Sequence, residues 1–171
     1  ETDNGPDPIE TAERFAELEE QLVITLVAVE KYGRESPQVK EAYAHLGFLF
    51  SPLKLVPKHF ESVAKYPRGA LARIRAQEKI ITIICNRKAK MPRDVFLAEF
   101  PGNETNVGWA DELIASGASY APAIRRNAVD LRRAQRKLAM VVDESGLSLT
   151  EIKDINRRMT MGEVRARRAK K

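Results

Sequence analysis

The sequence predicts an all-α protein, an elongated multi-helix bundle built on one or two small cores. Prolines repeatedly occupy the first position after a helix-capping residue, which is a common signal for the start of a helix. Apolar residues recur in steps of three and four, and the strict alternation typical of strands is nearly absent. The 171 residues, 43% of them hydrophobic, are sufficient for one substantial core or two small ones.

Two helices are predicted in the first fifty residues. The first begins at Asp7-Pro8 and ends at Gly33. Its apolar stripe consists of Phe15, Leu18, Leu22, Leu26 and Val29. The steps of three and four in this stripe lead us to expect that it is the packing face. The second helix begins at Ser36-Pro37. Its apolar residues are Val39, Tyr43, Leu46 and Phe50.

Prolines divide the middle of the chain. They lie at positions 52, 57, 67 and 92, and proline fits the first turn of a helix because the nitrogen there needs no intrahelical partner. We therefore expect short helices near 57–66 and 92–100, on either side of a longer helix from about 68 to 88. The longer helix carries its apolar residues at helical spacing, at Leu71, Ile74, Ile81 and Ile84.

A long helix is predicted from about Ser119 to Glu144, after a turn at 101–103 and a short helix around Trp109. Its seam alternates steps of four and three. The seam residues are Ile124, Ala128, Leu131, Gln135, Leu138 and Val142, with Gln135 the polar exception. Such a seam fits a helix packed inside the chain's own bundle or a dimeric coiled coil, and we favour the bundle.

Two helix-start signals lie near the C-terminal end of the sequence. Ser148-Leu149-Thr150-Glu151 is a capping box, in which the serine and glutamate side chains each pair with a backbone amide. Thr160-Met161-Gly162-Glu163 repeats the pattern. We therefore expect two helices that meet end to end at a tight corner.

No catalytic set, metal site or cofactor site is predicted. The two histidines, His45 and His59, lie on different predicted helices, and the chain has no glycine-rich phosphate-binding loop. Cys85 is the only cysteine and lies in an apolar helical stretch, which indicates a buried free thiol in a cytosolic protein. No apolar run is long enough to span a membrane and no secretory leader opens the chain. Both ends look cut, so we expect a fragment.

Charge is distributed unevenly along the chain. Residues 1–50 have a balance of −7 and residues 51–171 a balance of +12. One cationic group contains Arg125, Arg126, Arg132, Arg133, Arg136 and Lys137, and we interpret it as a solvated helix face. The other is the candidate site for an acidic protein surface or nucleic acid. It contains Arg157, Arg158, Arg165, Arg167, Arg168, Lys170 and Lys171.

The run from Gly146 to Lys171, GLSLTEIKDINRRMTMGEVRARRAKK, resembles the beginning of conserved region two of bacterial primary sigma factors. Upstream, Leu55–Phe60, Met91-Pro92 and Gly102–Thr105 resemble the large helical insertion that precedes that region. The resemblance implies a division of the chain into three parts. These are a disordered end at 1–6, the non-conserved insertion at 7–147 and a truncated start of region two at 148–171.

The resemblance also implies a non-enzymatic role in promoter-directed transcription initiation. The implied partner is core RNA polymerase, through its β′ subunit, without any cofactor. Promoter DNA would be bound by the intact protein, mainly through residues beyond Lys171. Two alternatives stay open: a basic helical nucleic-acid-binding module, and a helical adaptor that dimerises through the 124–142 seam.

Overall fold

The computed structural model describes residues 7–169, which contain seven α-helices and one π-helix and no strand. The all-α prediction is therefore confirmed, whereas the end predicted to be disordered, 1–6, lies outside the described residues. The helices are α1 (Pro8–Tyr32), α2 (Pro37–Phe50), α3 (Pro57–Thr82), the π-helix (Ile83–Lys88), α4 (Arg93–Glu99), α5 (Trp109–Ala115), α6 (Ala121–Ser145) and α7 (Leu149–Ala169). The chain forms two units, Glu1–Lys58 and His59–Lys171.

In the first unit, α1 packs against α2, and the predicted caps are present. The Asp7 carboxylate accepts a hydrogen bond from the amide of Ile9 at 2.8 Å. The Ser36 hydroxyl accepts one from the amide of Val39 at 3.4 Å. Gly33, whose φ is 75°, ends α1 in a conformation that residues with a Cβ rarely adopt.

The predicted packing face of α1 is wrong for three of its five residues, whereas Leu18 and Val29 are half-buried. Phe15, Leu22 and Leu26 are 56%, 43% and 56% exposed, whereas Gln21 and Thr25 are buried. These two polar side chains can face α2 because they are hydrogen bonded. The Thr25 hydroxyl donates to the Gln21 carbonyl at 2.8 Å, and Gln21 Nε2 donates to the carbonyl of Ala42 in α2 at 3.3 Å.

The predicted helix break before Pro67 is also wrong, because α3 continues through this proline. A proline inside a helix removes one backbone donor, so the carbonyl of Val63 loses its intrahelical partner. Val63 is 61% exposed, which leaves this side of the helix open to water. Ala64 and Ile74, which lie on either side of Pro67, are both buried, so packing stabilises the helix before and after the proline.

The core of the second unit forms around the middle of α6. Ile124, Leu131 and Leu138 are fully buried, which confirms the prediction that the seam packs inside the chain's own bundle. Trp109 is buried beside Phe96 and Phe100, with ring centroids 6.5 and 5.8 Å away. Other members of this core are Ile74, Ile81, Ile84, Cys85, Leu113, Leu149 and Ile152.

Gln135, the polar exception in the seam, is fully buried. Its Nε2 donates to the carbonyl of Asn103 at 3.0 Å and to that of Asn106 at 2.6 Å. The amide thereby attaches the 101–108 loop to α6. Its Oε1 is buried without a hydrogen-bond partner in the described structure.

The helix start at Ser148 is confirmed, but the second predicted helix start and the corner between the two helices are wrong, since α7 runs unbroken from Leu149 to Ala169. Thr160 does not cap a new helix because its hydroxyl donates to the carbonyl of Asn156, one turn earlier, at 2.9 Å. The Glu163 carboxylate is also engaged elsewhere, in an ion pair with Arg68. With both capping side chains used in this way, the helix continues.

Candidate docking surface of the last helix

The direction of α7 is set by the turn that precedes it. Gly146 adopts a left-handed conformation with φ 62°, which ends α6. The capping box follows at once. The amide of Ser148 donates to the Glu151 carboxylate at 2.8 Å, and the amide of Glu151 donates to the Ser148 hydroxyl at 3.2 Å. Ile152, in the first turn, is 1% exposed and joins the core.

Polar contacts then fasten α7 along α3. Asn156 is buried, and its Nδ2 donates to the carbonyl of Pro67 at 2.8 Å. The Lys153 ammonium lies 2.6 Å from the Glu78 carboxylate. Farther along, Arg68 of α3 pairs with Glu163 of α7, and this hydrogen bond raises the pKa of Arg68 above its ordinary value. The side chains at the end of α7 therefore project from an anchored helix.

Two of the predicted site residues are partly neutralised. Arg157 and Arg158 both bond to the Asp154 carboxylate, at 2.5 and 2.6 Å. The hydrogen bond from Arg157 and the positive charges of both arginines lower the pKa of Asp154, so this carboxylate stays ionised. Their side chains are still 69% and 77% exposed, so both guanidinium groups can reach a partner.

Three other predicted residues are exposed and form no ion pair within residues 7–169: Arg165, Arg167 and Arg168. Arg165 and Arg168 are three residues apart and lie on the same side of the helix as Arg157 and Arg158, whereas Arg167 lies on another side. The last two predicted residues, Lys170 and Lys171, lie outside the described residues.

A groove between α3 and α7 contains cations that the sequence did not single out. Its volume is about 780 Å³. Leu71, Ala72 and Met161 form part of its apolar lining, and Glu78 is its acidic residue. The cations along it are Arg68, Arg75, Lys153 and Arg157. Nothing in the order of the chain signals this grouping, because it depends on how α3 packs against α7.

Two members of the cationic group on α6 form ion pairs, and the interpretation of this group as a solvated face stays a prediction. Arg132 pairs with Asp111 of α5, and Arg133 lies 3.6 Å from Asp130. Arg125 and Arg126 are exposed beside the short connection from α5. The other four cations of this group, Arg125, Arg126, Arg136 and Lys137, are exposed and form no ion pair within residues 7–169.

Of the groups with potential for catalysis, His45 is hydrogen bonded and Cys85 is buried, whereas His59 is exposed. The His45 ring nitrogen lies 2.9 Å from the amide oxygen of Gln21. Burial raises the pKa of the Cys85 thiol to about 12. Among residues 7–169, histidine, cysteine, aspartate and glutamate do not gather into a group of three or more that could hold a metal ion. None of the helices described is both long and apolar enough to cross a membrane.

Comparisons with known proteins agree with the resemblance drawn from the sequence. A family model described as "Sigma-70, non-essential region" matches residues 1–141. The chain is 26% identical over 149 residues to a protein of Neisseria gonorrhoeae named RNA polymerase sigma factor RpoD. The match covers 87% of this chain and 23% of that relative, so the chain spans about a quarter of its length. This chain therefore belongs to the sigma-70 family, with the family's non-essential region at residues 1–141.

Proposed function

We propose that this chain is a helical scaffold and docking surface within a sigma factor, directed towards core RNA polymerase during promoter-directed transcription initiation. The family and the name of the relative support the coarse part of this function. The β′ subunit is the partner that the resemblance implies. This role involves no catalysis, and it requires a cytoplasmic location.

The observation that carries the proposal is the contrast along α7. Its first part is fixed by the capping box and by Asn156, whereas Arg165, Arg167 and Arg168 are exposed and have no ion pair within residues 7–169. Cations held on a fixed helix lose little conformational entropy when they pair with an acidic surface. They are therefore suited to docking.

A binding titration tests this proposal. The full chain carrying a fluorescent label is titrated with core polymerase, and anisotropy is measured for wild type and for R165A/R167A/R168A. Three exposed ion pairs of about 0.5 kcal/mol each amount to about a tenfold loss of affinity. The matched control is R125A/R126A/R133A on α6, which removes the same charge and should change the affinity less than about twofold.

Equal losses for the two triple variants would show that net charge, not the end of α7, governs binding. An unchanged affinity for the α7 variant would refute the docking role of these residues. The dimerising adaptor is not favoured, because Ile124, Leu131 and Leu138 of its seam are buried in the chain's own core.

The groove between α3 and α7 favours a second candidate, a basic nucleic-acid-binding module. Arg75 of this groove forms no ion pair within the described residues, and Arg68, Lys153 and Arg157 would exchange their carboxylate partners for a phosphate backbone. This candidate predicts equal affinity for a promoter duplex and for a shuffled duplex, with a steep decrease as salt rises. Tight and sequence-selective binding to the promoter duplex at physiological salt would contradict both candidates, since neither includes base recognition.

A further inference from the structure

Helix α1 has two faces with different partners. Its packed face, with Gln21 and Thr25 at the centre, lies against α2. The other face, which we call the open face, is apolar and exposed. It consists of Phe15, Leu22, Val23, Leu26 and Val27, of which Leu22 is 43% exposed and the others are each 56% exposed.

The open face is contiguous. Leu22 and Leu26 are four residues apart, as are Val23 and Val27, so each pair lies on adjacent turns of the same side. Phe15 extends the row two turns towards the start of the helix. Single exposed apolar residues are ordinary on a protein surface, whereas a contiguous row marks an interaction site.

The charges beside the open face select its occupant. Glu19, Glu20 and Glu30 are exposed and form no ion pair within the described part of the chain. Glu19 lies on the open face itself, one turn from both Phe15 and Val23, and Glu30 follows Leu26 by one turn on the same side of the helix. Over its whole length α1 has six glutamates and two basic residues, Arg14 and Lys31.

We propose that the open face binds a cationic amphipathic helix of a partner protein. The partner's apolar stripe would pack on Phe15, Leu22 and Leu26, in the manner of a helix laid along a hydrophobic groove. Its lysines or arginines would pair with Glu19, Glu20 and Glu30. A symmetric dimer in which two open faces meet is the wrong arrangement, because the −7 balance of residues 1–50 would meet the same charge. This interaction goes beyond the docking role of α7 and involves other residues.

A model peptide tests the proposal without requiring that the partner be identified. The probe is a synthetic helix of about 18 residues, with leucine on one face and lysine on the other. Its binding to the full chain is measured by anisotropy, and we expect a micromolar dissociation constant. A peptide in which glutamate replaces each lysine should bind at least about tenfold more weakly. A scrambled peptide of the same composition should also bind at least about tenfold more weakly.

Two variants locate the binding site. L22S/L26S shortens exposed side chains and so should keep the fold, which circular dichroism checks, while weakening binding of the leucine–lysine peptide about tenfold or more. V129S is the matched control, because Val129 is an exposed aliphatic residue of α6, 64% accessible, and should leave affinity unchanged. E19Q/E30Q should weaken binding and reduce its salt dependence.

Equal binding of the scrambled peptide, or full affinity in L22S/L26S, would overturn the proposal. Analytical sedimentation of the unliganded chain measures whether it forms a dimer. A dimer of the unliganded chain that L22S/L26S dissociates would assign the open face to a second copy and would refute the cationic partner.

Discussion

The Gln135 side chain is predicted to hold the 101–108 loop on α6, and replacing it by leucine tests this. The substitution keeps a similar volume and removes hydrogen bonds to the carbonyls of Asn103 and Asn106. At roughly 0.5–1.5 kcal/mol each, the two bonds contribute about 1–3 kcal/mol. Removing Oε1, which is buried without a hydrogen-bond partner in the described structure, offsets about 1 kcal/mol of the loss. We therefore expect a net loss of about 1 kcal/mol, within a range of roughly 0–2 kcal/mol.

Trp109, the only tryptophan, makes the measurement specific. It is buried at the end of this loop, and its amide donates to the carbonyl of Asn106 at 3.1 Å. Urea unfolding followed by its fluorescence reports on the second unit, and the midpoint should fall by about 0.5–1 M. Gln77→Leu is the control, because this half-buried amide on α3 makes no hydrogen bond within the described residues. If Gln135→Leu equals or exceeds wild-type stability, the two hydrogen bonds do not hold the loop.

Three further predictions concern α7, a surface ion pair and the single thiol. Ser148→Ala should lower stability by about 1 kcal/mol in the same urea experiment, and Thr150→Ala, on the exposed side of the same turn, by less than half as much. Glu144 has a lowered pKa because Arg73 donates hydrogen bonds to it, so the pair stabilises the fold above the ordinary glutamate pKa of about 4.3. That contribution is lost as pH falls through the pKa of Glu144 in the folded protein. The difference in unfolding free energy between wild type and Glu144→Gln should therefore be present at neutral pH and vanish in acid. A difference that stays constant with pH would contradict this prediction. With a pKa of about 12 and a buried side chain, Cys85 should resist thiol reagents in the native protein and react in urea, and rapid native labelling would show that the thiol is accessible.

Local signals in the sequence predicted the parts of this fold that depend on local contacts. The caps at Asp7, Ser36 and Ser148 were recoverable because each one forms between residues two or three positions apart. The 124–142 seam was recoverable because a helix with one strongly apolar stripe has only one way to bury it.

The errors arose where distant contacts outweighed a local signal. Pro67 lies inside α3 because burial on both sides of it compensates for one lost hydrogen bond. Thr160 and Glu163 form a capping pattern, yet the partner of Glu163 is Arg68, which lies 95 positions away in the chain. The candidate site shows the same limit, since the cations of α7 were visible in the sequence and the cations of α3 beside them were not.

Buried amide side chains connect these observations. Gln21, Gln135 and Asn156 each lie on the packed side of a helix, where a sequence pattern favours an apolar residue. Each donates a hydrogen bond to a main-chain carbonyl of another element, respectively in α2, in the 101–108 loop and in α3. An apolar side chain could fill the same space, but it would pack almost equally well if the helix shifted along its axis. An amide that donates to one particular carbonyl is satisfied in only one alignment of the two elements. A polar residue that interrupts an apolar stripe in a helical sequence is therefore better interpreted as a position that fixes alignment than as a flaw in the stripe. In α1 that interpretation would have placed the packed face on Gln21 and left Phe15, Leu22 and Leu26 for a partner.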